Sequence, residues 1–275
     1  MQPLITKRLV LAAGLMLWGA CTQAALMPYE SGGVQLVYDD AQDLTWTRDA
    51  NLFKTQYDAD NTVIADIIAA VPTITSGNGT HNVVTGDFNT INGRMTWYGA
   101  MAWVEWLGSI AYAGADDWRL PAIIDTGAPG FVFAYVGSDA GYNVDTSSSE
   151  VAHLWYDTLD NIAFFDTSGG IHQPGWGLSN AGPFGISMQD SAYWSGTEYP
   201  PNRNVAMLFH AGRGQQYGPV KDIEFYGWAV RPGQIAAAPV PGTAALLALG
   251  LMGIGARKLG SSGNGGFAAF REQCF

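Results

Sequence analysis

One stretch of the chain, residues 193–221, places aromatic rings beside a few polar and charged side chains. Aromatic rings offer flat apolar faces with polar tips. Carboxylate and guanidinium groups add strong, directional hydrogen bonds. This combination is typical of a surface that binds sugars, so these loops are the candidate ligand site. The residues expected to contact a ligand are Trp194, Glu198, Tyr199, Asn202, Arg203 and Arg213.

A calcium-dependent site is an alternative within the same stretch. Calcium requires several clustered oxygen ligands. The segment Glu-Tyr-Pro-Pro-Asn, from Glu198 to Asn202, resembles the Glu-Pro-Asn motif of sugar-binding C-type lectins, but its two oxygen-bearing residues stand two positions too far apart. Coincidence explains the match better. We therefore predict no cofactor, and calcium stays an alternative without a supporting motif.

Neither hydrolytic nor zinc chemistry has a motif in this sequence. The Gly-x-Ser-x-Gly pattern of a serine nucleophile is absent. No two histidines share a short metal-ligand spacing, and no cysteine lies near them. We predict no catalytic and no metal-ligating residue, and an enzyme that acts on polysaccharide is a remote alternative. The four histidines are His81, His153, His172 and His210.

Two arginines within apolar motifs are expected to serve the structure. Arg119 can pair with Asp117 or with a carboxylate elsewhere, because guanidinium forks suit semi-buried ties to carboxylates. An anion clamp for a ligand is the functional alternative for Arg119. Trp118, Trp194 and Trp228 lie inside apolar motifs and are expected in the core. The predicted structural residues are Asp117, Trp118, Arg119, Pro121, Trp228 and Arg231.

Hydrophobic periodicity indicates a mixture of short strands and a few helices. Thr96 is a good N-cap for a helix that runs to about Leu107. Ser147 or Ser148 can cap a second helix at 150–159. A further short helix is predicted at 62–71. Strands are predicted at 33–38, 44–46, 193–195, 205–209, 215–217 and 226–231.

The composition of residues 26–235 limits the possible partners. This region is long enough for one domain with a sizeable core. It contains 23 acidic against 8 basic residues, a formal charge of −15, which argues against a nucleic-acid groove. The acidity favours solubility first and calcium ligation second. Both cysteines, Cys21 and Cys274, lie outside the region, so no internal disulfide is expected there.

The N-terminal residues have the pattern of a secretory signal. Lys7 and Arg8 precede an apolar segment at 9–20, and cleavage is expected after Ala24 or Ala25. Lipidation at Cys21 is the alternative, which Trp18 disfavours. We assign residues 1–25 as a signal peptide, which predicts an exported protein.

The C-terminal part carries a second targeting pattern. A Pro-Val-Pro-Gly-Thr motif at 239–243 precedes an apolar segment at 244–256 and two basic residues. This order resembles the PEP-CTERM sorting signal. The resemblance implies processing by an exosortase-type membrane enzyme after transient attachment to the inner membrane. We assign residues 236–258 to the signal and 259–275 to an atypical tail. The signal's key residues are Pro239, Pro241, Gly242, Arg257 and Lys258.

The region between these signals resembles the DUF1566 family. The motifs that carry the resemblance are Thr-Trp at 96–97, Asp-Trp-Arg-Leu-Pro at 117–121, His-Leu-Trp-Tyr at 153–156, Leu-Asp-Asn at 159–161, Gly-Leu-Ser-Asn-Ala-Gly-Pro-Phe at 177–184, Tyr-Trp-Ser-Gly-Thr-Glu at 193–198 and Gly-Trp-Ala-Val-Arg-Pro-Gly at 227–233. The family is similar to the C-terminal domain of the Legionella collagen-like adhesin. The resemblance implies an α+β, C-type-lectin-like fold at 26–235, with two helices, short antiparallel sheets, long loops and its termini close together.

The resemblance also bears on function. In the adhesin this domain is implicated in binding sulfated polysaccharides and in trimer formation. The expected function is therefore that of an exported surface or extracellular-matrix protein that binds polysaccharide without catalysis. A purely structural, self-associating matrix component is the alternative. The expected partners are the processing enzyme, extracellular polysaccharide and further copies of the chain, with no nucleic acid.

Overall fold

A computed structural model describes residues 25–127, 129–170 and 172–235 of this chain. The signal peptide, the sorting-signal residues Pro239, Pro241, Gly242, Arg257 and Lys258, and the C-terminal tail lie outside the described residues. Among the described residues, no helix is both long enough and apolar enough to cross a bilayer. The fold is mixed α+β, with few helices and mainly antiparallel sheets.

The described region contains thirteen strands and four α-helices. The strands are β1 Leu26–Ser31, β2 Val34–Asp39, β3 Leu44–Thr47, β4 Thr73–Ser76, β5 Gly79–Asn82, β6 Arg94–Met95, β7 Phe133–Ala134, β8 Ala140–Tyr142, β9 Ala192–Glu198, β10 Ala206–His210, β11 Gln215–Tyr217, β12 Phe225–Tyr226 and β13 Val230–Pro232. The α-helices are α1 Leu52–Ala59, α2 Val63–Ala70, α3 Trp97–Ser109 and α4 Glu150–Ala152.

The first sheet joins the two ends of the described region. Its strand order is β1-β2-β3-β13, and every neighbouring pair is antiparallel. Trp46 on β3 stands opposite Val37 on β2 and Val230 on β13, and all three side chains are buried. The beginning and the end of the domain are therefore held in one sheet.

The second sheet positions the loops in which a ligand site was predicted. Its order is β6-β12-β9-β10-β11-β8-β7, with parallel pairs at β12–β9 and β7–β8. Strand β7 forms one edge of this sheet. A separate two-stranded hairpin, β4–β5, turns at Gly77 and Asn78.

Helix α3 follows directly from its sequence. The Thr96 side chain accepts a hydrogen bond of 3.1 Å from the backbone of Gly99, as an N-cap does. The helix buries Trp97, Trp103 and Leu107 among other residues, so its apolar stripe faces the core. The helix predicted from Thr96 is confirmed, and it ends two residues later than expected.

Large aromatic side chains fill the core. The rings of Trp46 and Trp228 lie 4.8 Å apart between centroids, and both residues are fully buried. The indole nitrogen of Trp228 donates a hydrogen bond of 2.9 Å to the carbonyl of Thr47. Trp118 is also buried, and its nitrogen donates to the carbonyl of Tyr112 at 2.8 Å. Trp118 and Trp228 are therefore core residues, as predicted.

The two motif arginines form the ties that the sequence suggested. Arg119 donates two hydrogen bonds of 2.7 Å to the carboxylate of Glu150, which also accepts the backbone N–H of Ala122 at 2.7 Å. Arg119 thus pairs with a distant carboxylate. Asp117 is paired with Arg231, which donates to its two carboxylate oxygens at 2.6 and 3.0 Å. Pro121 accepts a backbone hydrogen bond of 2.9 Å from Gly196, which fixes the same segment to the second sheet.

Three expectations about helices need correction. The resemblance implied two helices, but the described residues form four α-helices: α2 confirms the short helix predicted at 62–71, and α1 was not predicted. The helix at 150 is capped by Ser149, whose hydroxyl accepts from Ala152, and neither Ser147 nor Ser148 provides the cap. This helix is α-helical only over Glu150–Ala152 and continues as a π-helix over His153–Thr158.

The tie between Arg119 and Glu150 should stabilise the fold measurably. We expect Arg119→Met to lower the free energy of unfolding by about 1–3 kcal/mol, because it leaves a half-buried carboxylate with fewer partners. Urea denaturation of the full chain measures this change. As a control, Lys54→Met removes an exposed pair with Asp58 and should cost less than about 0.5 kcal/mol. Equal losses in the two variants would contradict the assigned role of Arg119.

Candidate functional site

The structure separates the six residues that were predicted to contact a ligand. Trp194 is completely buried, and its indole nitrogen donates to the carbonyl of Met95 at 3.0 Å. The prediction that Trp194 contacts a ligand is therefore wrong, because no face of its ring is available to one. Asn202 forms a turn, in which its side-chain oxygen accepts the N–H of Asn204 at 3.1 Å.

Glu198 belongs to a polar cluster with two cations. Its carboxylate contacts the ammonium group of Lys221 and lies 3.5 Å from the guanidinium of Arg203. The backbone N–H of Gly77, on the β4–β5 hairpin, donates to both carboxylate oxygens at 2.9 and 3.1 Å. Burial alone would raise the pKa of Glu198, but the bonds from Lys221 and Gly77 outweigh burial and lower it. These are the surroundings of an ion pair rather than of a calcium ligand.

Tyr199 lies in a different place, at an apolar cavity. Its ring meets that of Phe131 edge to face, with centroids 5.8 Å apart. The cavity measures about 220 Å³ and opens to solvent. It is lined by Phe131, Phe133, Ala140, Tyr199, Met207, Tyr217 and Gly218.

A chain of touching aromatic rings continues from this cavity across the surface. Phe133 contacts Tyr135 at 5.5 Å, and Tyr135 contacts Phe165 at the same distance. Phe165 packs edge to face against Phe164 at 4.8 Å, and Phe164 packs against Trp176 at 4.5 Å. We call this set the aromatic stripe: Phe133, Tyr135, Phe164, Phe165 and Trp176, together with Tyr142, a buried ring that contacts three of them.

Two members of the stripe are well exposed. Phe133 is 51% and Trp176 43% exposed, although large aromatic side chains normally lose most of their surface on folding. Val132 and Val136 beside the stripe are exposed as well. A contiguous apolar surface of this kind marks a site of interaction on a folded protein.

The stripe depends on a close approach of two strands. Ala140 on β8 stands opposite Phe133 on β7. Because side chains alternate along a strand, Tyr142 lies on the same face of β8 as Ala140. Gly141 between them has φ +117°, and a Cβ there would collide with the carbonyl of Ala134. Only glycine allows β7 to lie this close. The amide of Asn143 then fixes the loop by donating to the carbonyls of Tyr135 and Phe165 at 2.9 and 3.0 Å.

Arg213 is the predicted residue that supplies charge to this surface. Burial raises the pKa of the Tyr142 hydroxyl, and the neighbouring Arg213 guanidinium partly opposes that rise. The same two causes act on the pKa of Tyr217, which is also raised overall. The carbonyl of Arg213 accepts a hydrogen bond of 2.9 Å from the backbone of Phe164 in the stripe, and Arg213 is exposed. Tyr199 and Arg213 are the predicted ligand residues that the structure places at the cavity and the stripe.

Sequence reasoning missed all six rings of the stripe. They come from the Gly-, Pro- and Ser-rich stretch at 122–149 and from residues 163–177, where no ligand residue was predicted. One signal was present: the uncharged run Phe-Val-Phe-Ala-Tyr-Val at 131–136, which alternates aromatic residues with small or branched ones. Its ring contacts with Phe165 join segments about thirty residues apart, and pattern alone cannot reveal such a contact.

A larger cavity, of about 460 Å³, lies beside β2, β3 and α1. Asp49 in its wall accepts from the backbone of Asn51 and the hydroxyl of Thr55, at 2.8 and 2.5 Å. Arg48 donates to the carbonyl of Pro183 at 3.1 Å. Burial, assisted by Asp49, raises the pKa of Tyr112 to about 12. Since the charged groups of this cavity already serve local structure, the stripe is the better candidate site.

Neither a metal centre nor a relative defines the site further. Over residues 25–127, 129–170 and 172–235, no group of three or more His, Cys, Asp or Glu side chains is arranged to hold a metal ion. Compared with protein-family models, with curated proteins and with solved structures, the chain shows no match.

The approach of β7 to β8 can be tested at Gly141. We expect Gly141→Ala to lower the free energy of unfolding by at least about 2 kcal/mol, because the new methyl group collides with backbone at a positive φ. Gly137→Ala is the matched control: its φ is +64°, but nothing lies within 4 Å of the added carbon. Calorimetry of both variants makes the comparison, and an equal loss in both would reject the close approach.

Proposed function

We propose that this protein is a non-catalytic binding module for extracellular polysaccharide, built on a C-type-lectin-like fold. The observation that carries the proposal is the exposed aromatic stripe, with the Tyr199 cavity at one end and Arg213 beside it. The resemblance to the DUF1566 family and the α+β architecture support the fold assignment. The signal-peptide and PEP-CTERM patterns support export, transient attachment to the inner membrane and delivery to the cell surface or matrix.

The stripe suits an extended sugar chain. Pyranose rings present flat faces of C–H groups that stack on aromatic rings, while their hydroxyls need polar partners at the edge. The hydroxyls of Tyr135 and Tyr217 and the guanidinium of Arg213 provide such partners. Because the rings form a row rather than an enclosed pocket, we infer a polymer rather than a small molecule as the ligand.

The negative charge of the domain limits which polysaccharides it can bind. The formal charge of −15 over residues 26–235 repels polyanions, and a densely sulfated chain would need a basic patch against this background. At the stripe, Arg213 alone is a poor match for such a chain. We therefore infer a neutral or sparsely charged polysaccharide, whose occasional acidic group Arg213 can bind.

The second candidate function is self-association, and a specific observation favours it. Strand β7 lies at the edge of its sheet, within the uncharged run at 131–136. Exposed apolar edge strands are templates for pairing with another chain. Pairing of β7 with its counterpart in a second copy would make a symmetric contact free of charge repulsion. This would suit a structural component of a matrix.

Polysaccharide binding should depend on the exposed rings. We expect Trp176→Ala and Phe133→Ala each to weaken binding about tenfold, because each removes a stacking face from the stripe. Arg213→Gln should weaken binding to a sparsely acidic polysaccharide and leave binding to a neutral one nearly unchanged. Affinity electrophoresis of the full chain in gels that contain neutral, uronate-bearing or sulfated polysaccharides measures these changes.

Ile186→Ala is the matched control for the ring variants. Ile186 is a fully exposed apolar residue outside the stripe, and its loss should not alter retardation in any gel. If the wild-type chain migrates equally in all gels, the polysaccharide proposal fails. The polysaccharide proposal also fails if Ile186→Ala weakens binding as much as Trp176→Ala does.

Self-association through β7 makes a separate prediction. We expect Val132→Lys to abolish any concentration-dependent dimer, because it places a charge beside each pair of edge strands. Sedimentation equilibrium of wild type and variant provides the test, with Ile91→Lys as an exposed control elsewhere. A wild-type chain that is monomeric at all concentrations, or a dimer that tolerates Val132→Lys, rejects this candidate.

A further inference from the structure

Lys221 is buried to a degree that is exceptional for a lysine. It is 1% exposed, whereas lysines are almost never fully buried unless they are paired. Its ammonium nitrogen lies 4.3 Å from the ring centroid of Trp97 and 5.6 Å from that of Tyr98. Two aromatic residues and the surrounding core thus keep water away from this amine.

The amide of Asn78 stands directly beside that amine. Lys221 Nζ lies 3.3 Å from Oδ1 of Asn78, the oxygen bonded to the amide carbon. Asn78 occupies the exposed turn of the β4–β5 hairpin, but its amide faces the protein. The Nδ2 group donates to the hydroxyl of Tyr98 at 3.0 Å and to Oδ1 of Asn204 at 2.9 Å. These bonds fix which amide atom faces the lysine.

A hydrogen-bond donor polarises the same amide. The hydroxyl of Ser76 donates to Asn78 Oδ1 at 2.6 Å. Together with the lysine, this donor would stabilise negative charge on the oxygen if the amide carbon were attacked, as donors in an oxyanion hole do. An amine, a polarised amide and an aligned donor are therefore held in one place.

Glu198 completes the arrangement with a group that can move a proton. Its carboxylate contacts Lys221 Nζ directly and is anchored by the backbone N–H of Gly77, the residue before Asn78. A carboxylate in this position can take a proton from the ammonium group and pass it to a departing amine. The three reacting side chains come from the hairpin, from β9 and from the loop after β11, so only the folded chain assembles them.

We propose that Lys221 and Asn78 join in an intramolecular amide bond, with Glu198 as the catalytic residue. Glu198 accepts a proton from Lys221, and the free amine attacks Cγ of Asn78. A bond forms between Lys221 Nζ and Asn78 Cγ. Glu198 gives its proton to Nδ2 and takes the second proton from Nζ, the Cγ–Nδ2 bond breaks, and ammonia leaves. Glu198 then passes this proton to the ammonia, which departs as ammonium. The net change converts an ammonium group and a primary amide into a secondary amide and ammonium, without any oxidant or cofactor.

This amide bond would give the domain a covalent cross-link of the kind that disulfides provide in other exported proteins. Residues 26–235 contain no cysteine and cannot form a disulfide. A link between positions 78 and 221 closes a loop over most of the domain, and cross-links across long loops restrict the unfolded chain most. The bond would also fasten the β4–β5 hairpin, which shares no sheet with the remainder of the fold. The inference is independent of the polysaccharide proposal.

Peptide mapping of the full-length wild-type protein tests the bond directly. Trypsin should leave residues 55–94 joined to residues 214–257 in one branched peptide, since trypsin cleaves neither after a modified Lys221 nor between Arg231 and Pro232. Its mass should equal the sum of its parts, with Lys221 uncut, less one ammonia, and fragmentation should place the branch at Asn78 and Lys221. Separate wild-type peptides with a cleaved Lys221 overturn the proposal, whatever the variants do.

Variants distinguish the bond between Lys221 and Asn78 from another reaction in which Asn78 loses ammonia. Lys221→Met and Glu198→Gln should each abolish the branched peptide, while Asn202→Ala, a neighbour outside the arrangement, should retain it. Asn78 precedes Gly79 and can also lose ammonia by closing on its own backbone. A loss at Asn78 that persists in Lys221→Met would assign the change to that ring closure and overturn the proposal. A branched peptide that survives Glu198→Gln in full would overturn the role of Glu198.

Discussion

The packing of Trp46 against Trp228 is the contact on which the rest of the fold depends. These rings join β3, near the beginning of the domain, to the segment that leads into β13 at its end. Phe184 packs edge to face on Trp228 at 4.8 Å, and Tyr193 lies 5.3 Å from it. The first sheet, the start of β9 and the loop at 182–187 thus meet at one indole.

The candidate site is built from segments with little regular structure, and it owes its shape to a few specific ties. Glycine at 141 lets two short strands approach, and the Asn143 amide bridges two loops. Arg119 and Glu150 hold the beginning of the 122–149 stretch against helix α4. Loops positioned by a rigid scaffold commonly carry function. Here, polar ties and one close backbone approach make the loops rigid enough to present a row of rings.

How much the sequence could predict depends on whether the cause was local. The Thr96 cap, the apolar stripe of α3 and the strands β9, β10 and β11 follow from neighbouring residues, and they were predicted correctly. The single strand predicted at 226–231 is wrong, because the chain divides it between β12 and β13, in two different sheets. The Ser149 cap was missed by one position because four consecutive residues at 146–149 can all accept a hydrogen bond. Strand β7 was missed because it has only two residues, although the run at 131–136 around it alternates.

Side-chain environments that depend on distant residues were beyond sequence reasoning. Glu198 was assigned to a ligand because its neighbours are polar, but its partners are Lys221 and the tip of a hairpin about 120 residues earlier. Trp194 was assigned to a sugar platform because it is an aromatic residue close to polar ones, although it lies in the strand predicted at 193–195. Strand β9 lies inside its sheet, and the Trp194 side chain is fully buried.

The strand order of the first sheet has a mechanical meaning. Leu26 stands opposite Asp39, Asp39 opposite Leu44 and Leu44 opposite Pro232, so the chain enters and leaves the domain on one row of the sheet. Three strand spacings separate the two points, about 15 Å. A force that pulls the two ends apart would load this row first and open the hydrogen bonds one pair at a time, as a zipper opens. Such a domain yields gradually at its tethered edge, while the second sheet and the stripe bear little of the load.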